Sequence, residues 1–328
     1  MTATVLRSGF LSSVQDLGRT GHRASGVSLG GALDPHALAV ANLLVGNKVP
    51  AAGIEATLGE LRIRFEDERL VAWAGGDFIV RVGGAEIAAG HAAVVRNGEE
   101  LRMTAPHPGA RAWLAISGGI DVPMVLGSRA TDLRTNFGGL DGRALRDGDV
   151  LALGDRTAAT DRIMRKIGAA RSASWRGPTE WISPAPRHPF LRIVRGVDWS
   201  CFAETALNAF AKEAFLVTAE SDRMGVRLTG APLVRLSDED LVSEAVTPGT
   251  IQVPPSGQPI LLLGDCQTIG GYPKIAHVIT VDLPSAAQLS PGDEVRFAEV
   301  ALAEAQRLLL ERGRDLERFK IGLELHAS

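Results

Sequence analysis

Short apolar runs interrupted by glycine and proline are the feature that most constrains the fold of this chain. The 328 residues include 37 glycines and 17 prolines, which are spread throughout the sequence. The runs between them are about four to six residues long, the usual length of a β-strand and too short for a helical bundle. The sequence therefore predicts a mainly β protein. The predicted strands cover residues 61–65, 70–74, 78–82, 93–95, 112–117, 191–194, 251–253, 260–263, 278–281 and 294–297.

Three helices are predicted between these strands. The first has Asp34 as its N-cap and Pro35 at its first position, where a missing N–H costs nothing. The second begins at Asp198, and the third covers residues 300–312 with Gly313 as its stop. The apolar residues expected to bury these helices are Leu38, Ala41, Leu44 and Val45, then Phe202, Ala206 and Phe210, then Ala301, Ala305, Leu308 and Leu309.

An internal similarity indicates that the chain is a duplication. GVSLGGAL at residues 26–33 resembles GVRLTGAP at residues 225–232. Glu55 and Glu244 follow these motifs, and a similar apolar run begins sixteen residues after each glutamate, VAWAGG in the first half and ILLLGD in the second. A chain of this length also exceeds the usual size of a single core. We therefore expect two related barrels.

The expected domains are residues 1–180 and residues 181–328. The first domain would carry the helix that begins at Pro35, and the second would carry the C-terminal helix. Residues 157–189 mix arginine, serine, alanine and proline without a sustained period, so they are predicted to form a linker or crossing loop.

Composition and spacing exclude several classes of function. Lysine and arginine number 35 against 38 acidic residues, so no nucleic-acid or membrane partner is expected and a small-molecule substrate is favoured. No apolar run reaches about 18 residues, no leader is recognised, and the two cysteines are far apart, so we expect a cytoplasmic protein. Histidine spacing, glycine loops and lysine contexts predict no metal site, no classical nucleotide loop and no attached biotin.

The most unusual segment is GDCQTIGGYPKI at residues 264–275, which places polar side chains around two adjacent glycines directly after an apolar strand. Its adjacent glycines allow a close backbone approach to a ligand, and Gln267 and Thr268 offer short hydrogen-bonding side chains. Lys274 could neutralise a carboxylate or a phosphate. These features predict a binding loop, although a tight hairpin with an outward lysine would use the same residues.

A second polar segment, SVQDLGRTGHR at residues 13–23, places Asp16 and Arg19 around two glycines. Its counterpart at residues 221–225 places Arg223 ahead of the second glycine motif. Arg19 and Arg223 are the predicted partners of Glu55 and Glu244, because a buried carboxylate needs a cation or N–H donors. Ion pairs that only link a loop to a strand are an equally good interpretation.

These segments resemble the signatures of the KipA family, which is also labelled allophanate hydrolase subunit 2 or biotin-dependent carboxyltransferase and includes the C component of 5-oxoprolinase. The resembling stretches are residues 13–47, 220–233 and 264–297. The resemblance implies two cyclophilin-like β-barrel domains with a few short helices. It also implies a complex that uses ATP to hydrolyse 5-oxoproline to glutamate. The partners implied are a KipI-like protein, the B component, and a LamB/YcsF-type protein, the A component.

Two other functions fit the same resemblance. One is the carboxyltransferase component of a biotin-dependent, urea carboxylase-like enzyme. The other is a non-catalytic regulator that binds a KipI-like kinase inhibitor.

Positions in the family motifs supply the candidate site residues. Phosphorylation of the lactam oxygen would require cations and N–H donors around the phosphate. The catalytic candidates are Lys274, Tyr272, Gln267 and Arg223. The candidates for binding substrate or nucleotide are Asp16, Arg19, Asn42, Glu55, Ser221, Thr268, Gly270 and Gly271.

Overall fold

A computed structural model describes residues 1–105, 111–182, 189–237 and 241–327 of the chain. The chain forms two compact units, each discontinuous in sequence. Unit 1 comprises Met1–Arg19, Gly30–Pro184 and Asp315–Ser328, and unit 2 comprises Thr20–Leu29 and Ala185–Arg314. Strands outnumber helices in the described residues, which confirms the mainly β fold class with few helices.

The strands of unit 1 form two antiparallel sheets. They are β1 (Thr2–Ser8), β2 (Leu11–Gln15), β3 (Gly53–Thr57), β4 (Glu60–Phe65), β5 (Arg69–Gly75), β6 (Ile79–Val82), β7 (Ala85–Glu86), β8 (Ala93–Val95), β9 (Glu100–Thr104), β10 (Arg111–Ile116) and β11 (Val150–Ala152). One sheet has the order β11-β1-β4-β9-β6-β7 and the other β2-β3-β10-β5-β8. Both contribute to one apolar core, in which Val5 and Ile63 of the first sheet join Ile54 and Leu114 of the second.

The first helix, α1 (Pro35–Leu44), begins as predicted. The Asp34 side chain accepts a hydrogen bond from the N–H of Ala37 at 2.8 Å, which satisfies one of the free donors of the first turn. Every residue from Ala37 to Leu44 is buried. The predicted apolar stripe is therefore confirmed, within a helix that is buried on more than one face.

The predicted linker at residues 157–189 is wrong in its first part, because α2 (Ala158–Ile167) forms there. Thr157 caps it by accepting a hydrogen bond from the N–H of Thr160 at 3.0 Å, and Ile163 and Ile167 are buried. Three buried positions are too few to reveal a period against the polar residues around them. A short helix, α3 (Thr179–Ile182), follows, and residues 183–188 of the predicted linker lie outside the described residues.

Unit 2 contains a closed barrel of seven strands. Its elements are β12 (Phe190–Arg195), α4 (Glu204–Lys212), β13 (Phe215–Val217), β14 (Gly225–Thr229), β15 (Glu244–Ala245), β16 (Thr250–Gln252), β17 (Ile260–Leu262), β18 (Ile269–Gly270), β19 (Lys274–Val278), α5 (Leu283–Ala287) and β20 (Glu294–Glu299). The barrel order is β12-β19-β16-β17-β14-β13-β20, and the parallel pair of β12 and β20 closes it. Strands β15 and β18 form a separate two-stranded ladder.

An aromatic cluster fills one part of the barrel. The rings of Phe210 and Phe297 stack at 4.6 Å between centroids, and Phe215 lies at about 6 Å from both. Phe210 comes from α4, where it is buried together with Ala206, as the sequence predicts. The helix itself begins at Glu204, after a 3₁₀ turn at Trp199–Cys201 that uses Asp198 as its N-cap residue.

The last helix, α6 (Leu302–Ala327), is longer than predicted. The prediction that Gly313 ends it is wrong. A single glycine costs a helix about 1 kcal/mol relative to alanine, and the residues that follow, RDLERFKIGLELH, favour helix strongly enough to continue it. Within the described residues, no helix is long and apolar enough to cross a membrane.

Two further predictions need correction. The strand expected at residues 278–281 ends at Val278, and a 3₁₀ turn at Thr280–Asp282 leads into α5. The repeated glycine motifs also differ in structure, because Gly225–Thr229 forms β14 whereas Gly26 ends a 3₁₀ turn with φ +81°. Two segments that share a pattern of small residues can both favour turns, but the pattern does not determine whether each forms a strand or a turn.

Candidate active site

Lys274, the first residue of β19, lies between two carboxylates in unit 2. Its Nζ is 3.3 Å from Oδ2 of Asp198 and 3.2 Å from Oε2 of Glu244. The same Asp198 oxygen accepts a hydrogen bond from the backbone N–H of Lys274 at 2.8 Å. The Lys274 side chain is 10% exposed, so its charge is largely removed from water. The carboxylates of Asp198 and Glu244 compensate that charge.

Close approach of two backbone segments places Asp198 beside Lys274. A Cβ at Gly196 would lie 2.0 Å from the carbonyl oxygen of Lys274, and the N–H of Gly196 donates to the carbonyl of Ile275 at 2.9 Å. Only glycine permits this approach. Glu244 reaches the ammonium from the other direction, because the β15–β18 ladder pairs Glu244 with Gly270.

Two glutamine side chains lie next to this ion cluster. Gln252 is the cross-strand neighbour of Lys274 and is 1% exposed. Its Oε1 accepts a hydrogen bond from Nε2 of Gln267 at 3.2 Å, and its Nε2 donates to the carbonyl of Tyr272 at 3.3 Å. A Cβ at Gly270 would lie 2.7 Å from Gln252 Nε2. Glycine at this position therefore leaves the space that the buried amide occupies.

A cleft of about 610 Å³ opens in unit 2 beside the glutamines. Gln252, Gln267 and Tyr272 line it, and the Tyr272 side chain is partly exposed. Arg227 and Asp222 also line the cleft. Lys274 is not among the lining residues. Its backbone pairs with that of Gln252, and its ammonium ties Glu244 to β19.

Arg223 forms a closed ion pair with Asp265. Its Nε and Nη2 donate to the two carboxylate oxygens at 2.8 and 3.1 Å, and both side chains are about 5% exposed. The prediction that Arg223 pairs with Glu244 is wrong, because Glu244 pairs with Lys274. The bidentate geometry ties the start of β14 to the loop after β17. Arg223 is therefore a positioning residue for the Gln267 loop.

Arg23 anchors the same loop from the Thr20–Leu29 segment of unit 2. Its guanidinium donates to the carbonyl of Val246 and to that of Gln267, the latter at 3.4 Å. Burial raises the pKa of the Cys266 thiol, and the charge of Arg23 acts against that rise. Cys266 is thus a buried neutral thiol rather than an activated nucleophile.

The remaining candidates of unit 2, Ser221, Thr268 and Gly271, shape the turns and loops around the cleft. The Ser221 hydroxyl accepts a hydrogen bond from the N–H of Arg227 at 3.0 Å, which shapes the turn before β14. The carbonyl of Thr268 accepts from the N–H of Val246 at 3.1 Å. A Cβ at Gly271 would lie 3.2 Å from the hydroxyl of Ser243, a tight but adjustable contact.

Asp16 and Arg19 hold loops within unit 1. Asp16 Oδ1 accepts from the hydroxyl of Ser128 at 2.6 Å, and Oδ2 accepts from the N–H of Arg129 at 2.6 Å. Arg19 is fully buried, and its guanidinium lies 4.5 Å from the centroid of Phe137. Both side chains are thus engaged by the chain itself.

Asn42 closes the turn after α1. Its Nδ2 donates to the carbonyls of Val49 and Ala51 at 3.2 and 2.8 Å, and its Oδ1 accepts from Asn47 at 2.9 Å. These bonds use both ends of the amide. Asn42 is therefore explained by the fold of unit 1.

Glu55 lies on β3 and is 2% exposed. Its Oε2 accepts from the N–H of Leu33 at 2.8 Å and from the indole N–H of Trp113 at 2.9 Å, and Oε1 is 3.8 Å from Nε of Arg111. A buried carboxylate needs such donors. Glu55 links the segment before α1 to the five-stranded sheet.

The sequence interpretation missed three residues of the unit 2 site: Asp198, Gln252 and Arg23. Asp198 was assigned only to the start of a helix, although the structure also gives its carboxylate to Lys274. Gln252 could have been identified from the sequence, because it is a polar residue between the apolar residues Ile251 and Val253. An amide in a buried strand requires partners, and those partners are the Gln267 loop. Among the described residues, no cluster of histidine, cysteine or carboxylates could hold a metal ion.

Sequence comparison assigns residues 25–299 to the family described as carboxyltransferase domain, subdomain A and B. The chain is 37% identical to the C component of 5-oxoprolinase from Escherichia coli K12 over 313 residues, which is 95% of this chain and 96% of that protein. It is 35% identical to the C component of 5-oxoprolinase from Haemophilus influenzae over 298 residues, covering 90% of this chain and 91% of that protein.

A solved structure shows the same fold within a much larger enzyme. The K. lactis urea amidolyase matches with a TM-score of 0.84 and 28% identity over 97% of this chain. The matched part is only 20% of the urea amidolyase chain. From the family match across both units and the full-length similarity to two bacterial proteins, this chain belongs to the carboxyltransferase family of subdomains A and B.

Proposed function

We propose that this chain is the C component of an ATP-dependent 5-oxoprolinase, which hydrolyses 5-oxo-L-proline to L-glutamate. Its partners in the complex would be a KipI-like B component and a LamB/YcsF-type A component. The observation that carries this proposal is the similarity, along nearly the whole of both chains, to two proteins named as this component of 5-oxoprolinase. A match that leaves no large part of either protein uncovered favours the same role in the same kind of complex.

The unit 2 cleft has the chemistry to bind the lactam. 5-Oxoproline carries one carboxylate and one cyclic amide, and the cleft offers the guanidinium of Arg227 and the amide of Gln267. Within the described part of the chain, Gln267 Nε2 is bonded to Gln252, whereas its Oε1 is left to accept the lactam N–H. Gln252 pairs with Lys274 through the backbone and donates from its Nε2 to the carbonyl of Tyr272, so it keeps the Gln267 amide in one orientation.

The cleft does not fit a nucleoside triphosphate. Arg227 is the only cation among its described lining residues, and the carboxylates Glu220 and Asp222 also line it. A triphosphate needs several cations or N–H donors around its oxygens. We therefore assign ATP to the assembled complex, and we assign lactam binding to this chain.

Reconstitution of the complex tests the proposal. The chain is coexpressed with the KipI-like and LamB/YcsF-type proteins, and ATP-dependent release of glutamate from 5-oxoproline is measured. Activity that requires all three proteins is the expected result, and no turnover by the assembled set would refute the proposal. Tyr272→Ala should raise KM for 5-oxoproline about tenfold, because it removes a wall of the cleft. Phe10→Ala, which truncates an exposed aromatic residue in unit 1, is the matched control.

Carboxyltransfer is the second candidate function. It is favoured by the family description and by the structural match to urea amidolyase. In the same assay, turnover that depends on a biotinylated carrier and bicarbonate, and is absent with ATP and 5-oxoproline alone, would select carboxyltransfer. Tight binding of the KipI-like protein with neither reaction would select a regulatory role.

A further inference from the structure

A second cavity, of about 590 Å³, lies within unit 1. It is bounded by the end of α1, the start of α2 and the part of α6 that belongs to unit 1. Its volume falls in the range of about 300–1,000 Å³ that is usual for small-molecule sites. The apolar walls are formed by Leu43, Ile163, Leu316 and Leu323.

The junction of α1 and α2 makes one side of this cavity rigid. The hydroxyl of Thr157 donates to the carbonyl of Gly46 at 2.6 Å, and the hydroxyl of Thr160 donates to that of Val45 at 2.8 Å. Gly46 has φ +76°, and a Cβ there would lie 2.6 Å from the backbone nitrogen of Thr160. The two helix ends are therefore fixed in contact, and the cavity beside them is preformed.

Two cations of the cavity lack an ion-pair partner among the described residues. Arg162 lines it, and its Nε is buried without a hydrogen-bond partner. Lys48 also lines it, is exposed, and makes no ion pair with any residue that the structure describes. By contrast, Lys320 is 3.7 Å from Glu317, so that pair is already neutral, and Glu324, which also lines the cavity, has an interaction of its own. The Arg162 guanidinium thus has no acceptor among the described residues, and a bound carboxylate would supply one to its terminal nitrogens.

We propose that this cavity binds a small amphipathic carboxylate. The carboxylate lies on the guanidinium of Arg162 with Lys48 beside it, and the apolar tail packs against the four apolar walls. A compact inorganic anion would satisfy the cations but leave the apolar walls against water. This site is separate from the proposed lactam cleft, and its occupancy does not depend on 5-oxoprolinase activity.

Isothermal titration calorimetry of the full chain with decanoate, below its aggregation concentration, tests the proposal. One molecule of decanoate per chain is expected to bind. Arg162→Gln should weaken binding about tenfold or more, because a hydrogen bond to a charged group is lost. Arg165→Gln is the matched control, since Arg165 is an exposed arginine on the same helix and does not line the cavity.

A second variant keeps the test valid if Arg162→Gln unfolds. Leu323→Trp fills the cavity while both cations remain, and it should abolish decanoate binding without lowering the melting temperature. Absence of one-to-one binding, or equal affinity of Arg162→Gln and the unmodified chain, would overturn the proposal. Binding of decan-1-ol as tight as that of decanoate would also overturn it, because the carboxylate would then contribute nothing.

Discussion

The two carboxylates that share the Lys274 ammonium differ in exposure. The Asp198 side chain is 17% exposed and that of Glu244 is 61% exposed. When one partner of a buried pair is removed, the remaining charge loses its compensation, and this loss exceeds what the pair itself contributes. Without Lys274, the carboxylate of Asp198 would be a largely buried charge with no cation to compensate it, whereas the carboxylate of Glu244 can be hydrated.

Lys274→Met is therefore expected to lower the free energy of unfolding by about 1–3 kcal/mol. The double variant Lys274→Met with Asp198→Asn should recover most of that loss, because no unpaired carboxylate remains and the asparagine oxygen can still accept from the backbone N–H of residue 274. Urea denaturation measures both. In the reconstituted complex, the double variant should remain about 100-fold less active, because the Gln267 loop loses the tie from Lys274 to Glu244 and can shift by about 1 Å. Full activity of the double variant would show that the ion cluster serves only stability.

At the scale of single residues, sequence located the loop but not its partners. Gln267, Gly270, Tyr272 and Lys274 come together in unit 2 as the motif suggested. Asp198 lies far from them in sequence, and its contact depends on the close backbone approach at Gly196. A one-dimensional pattern does not encode such an approach. Pairing rules based on charge alone consequently assigned Arg223 to the wrong carboxylate.

Among the elements, α6 shows how a glycine can be overridden. Gly313 lies inside the helix with open space around its Cα, so a methyl group would meet no atom within 4 Å. Gly292 has the same open space but lies in a turn with φ +92°, a conformation that L-residues disfavour.

Gly313→Ala is expected to raise the free energy of unfolding by about 0.5–1 kcal/mol, because alanine narrows the unfolded ensemble and favours helix. Gly292→Ala should lower the free energy of unfolding by about 1 kcal/mol, since the backbone angle at this turn strains an L-residue although space is open at both sites. Thermal denaturation of the two variants measures the contrast. Equal effects of the same sign would contradict this account of α6.

Helices and strands were predictable where one face of the element is buried and capping or turn residues mark its ends. Asp34 and Pro35 mark the start of α1, and the apolar runs of the predicted strands give most of the sheet. The α2 helix was missed because Thr160, Ile163 and Ile167 are its only buried residues. The different structures of the two glycine motifs were also beyond prediction, since a glycine fits both a turn and a strand.

For the whole molecule, acid stability should depend on arginine–carboxylate pairs of unit 1. The hydrogen bond from Arg171 holds the pKa of Glu99 below its ordinary value of 4.5, and that from Arg143 holds the pKa of Asp149 below 3.8. A carboxylate with a depressed folded-state pKa stabilises the fold above its unfolded pKa. That contribution is lost as the pH falls through the folded value.

Arg171→Gln should therefore lower the free energy of unfolding at pH 7 by about 1 kcal/mol and make its decline below pH 4.5 shallower. Urea denaturation between pH 7 and pH 3 measures both effects. Arg134→Gln, at an exposed arginine in the same unit, should change neither. An unchanged slope in Arg171→Gln would exclude Glu99 as a contributor.

The Thr20–Leu29 segment belongs to unit 2 although it is far from the rest of that unit in sequence, and this limits how the two units can be expressed separately. Gene fragments are usually cut at a single point, and a fragment that begins at Ala185 would omit Arg23. The carbonyls of Val246 and Gln267 would then lose their donor, at the loop that carries the candidate site. A peptide of residues 20–29 supplied in trans, or grafted ahead of the fragment, is what a separately produced barrel would need.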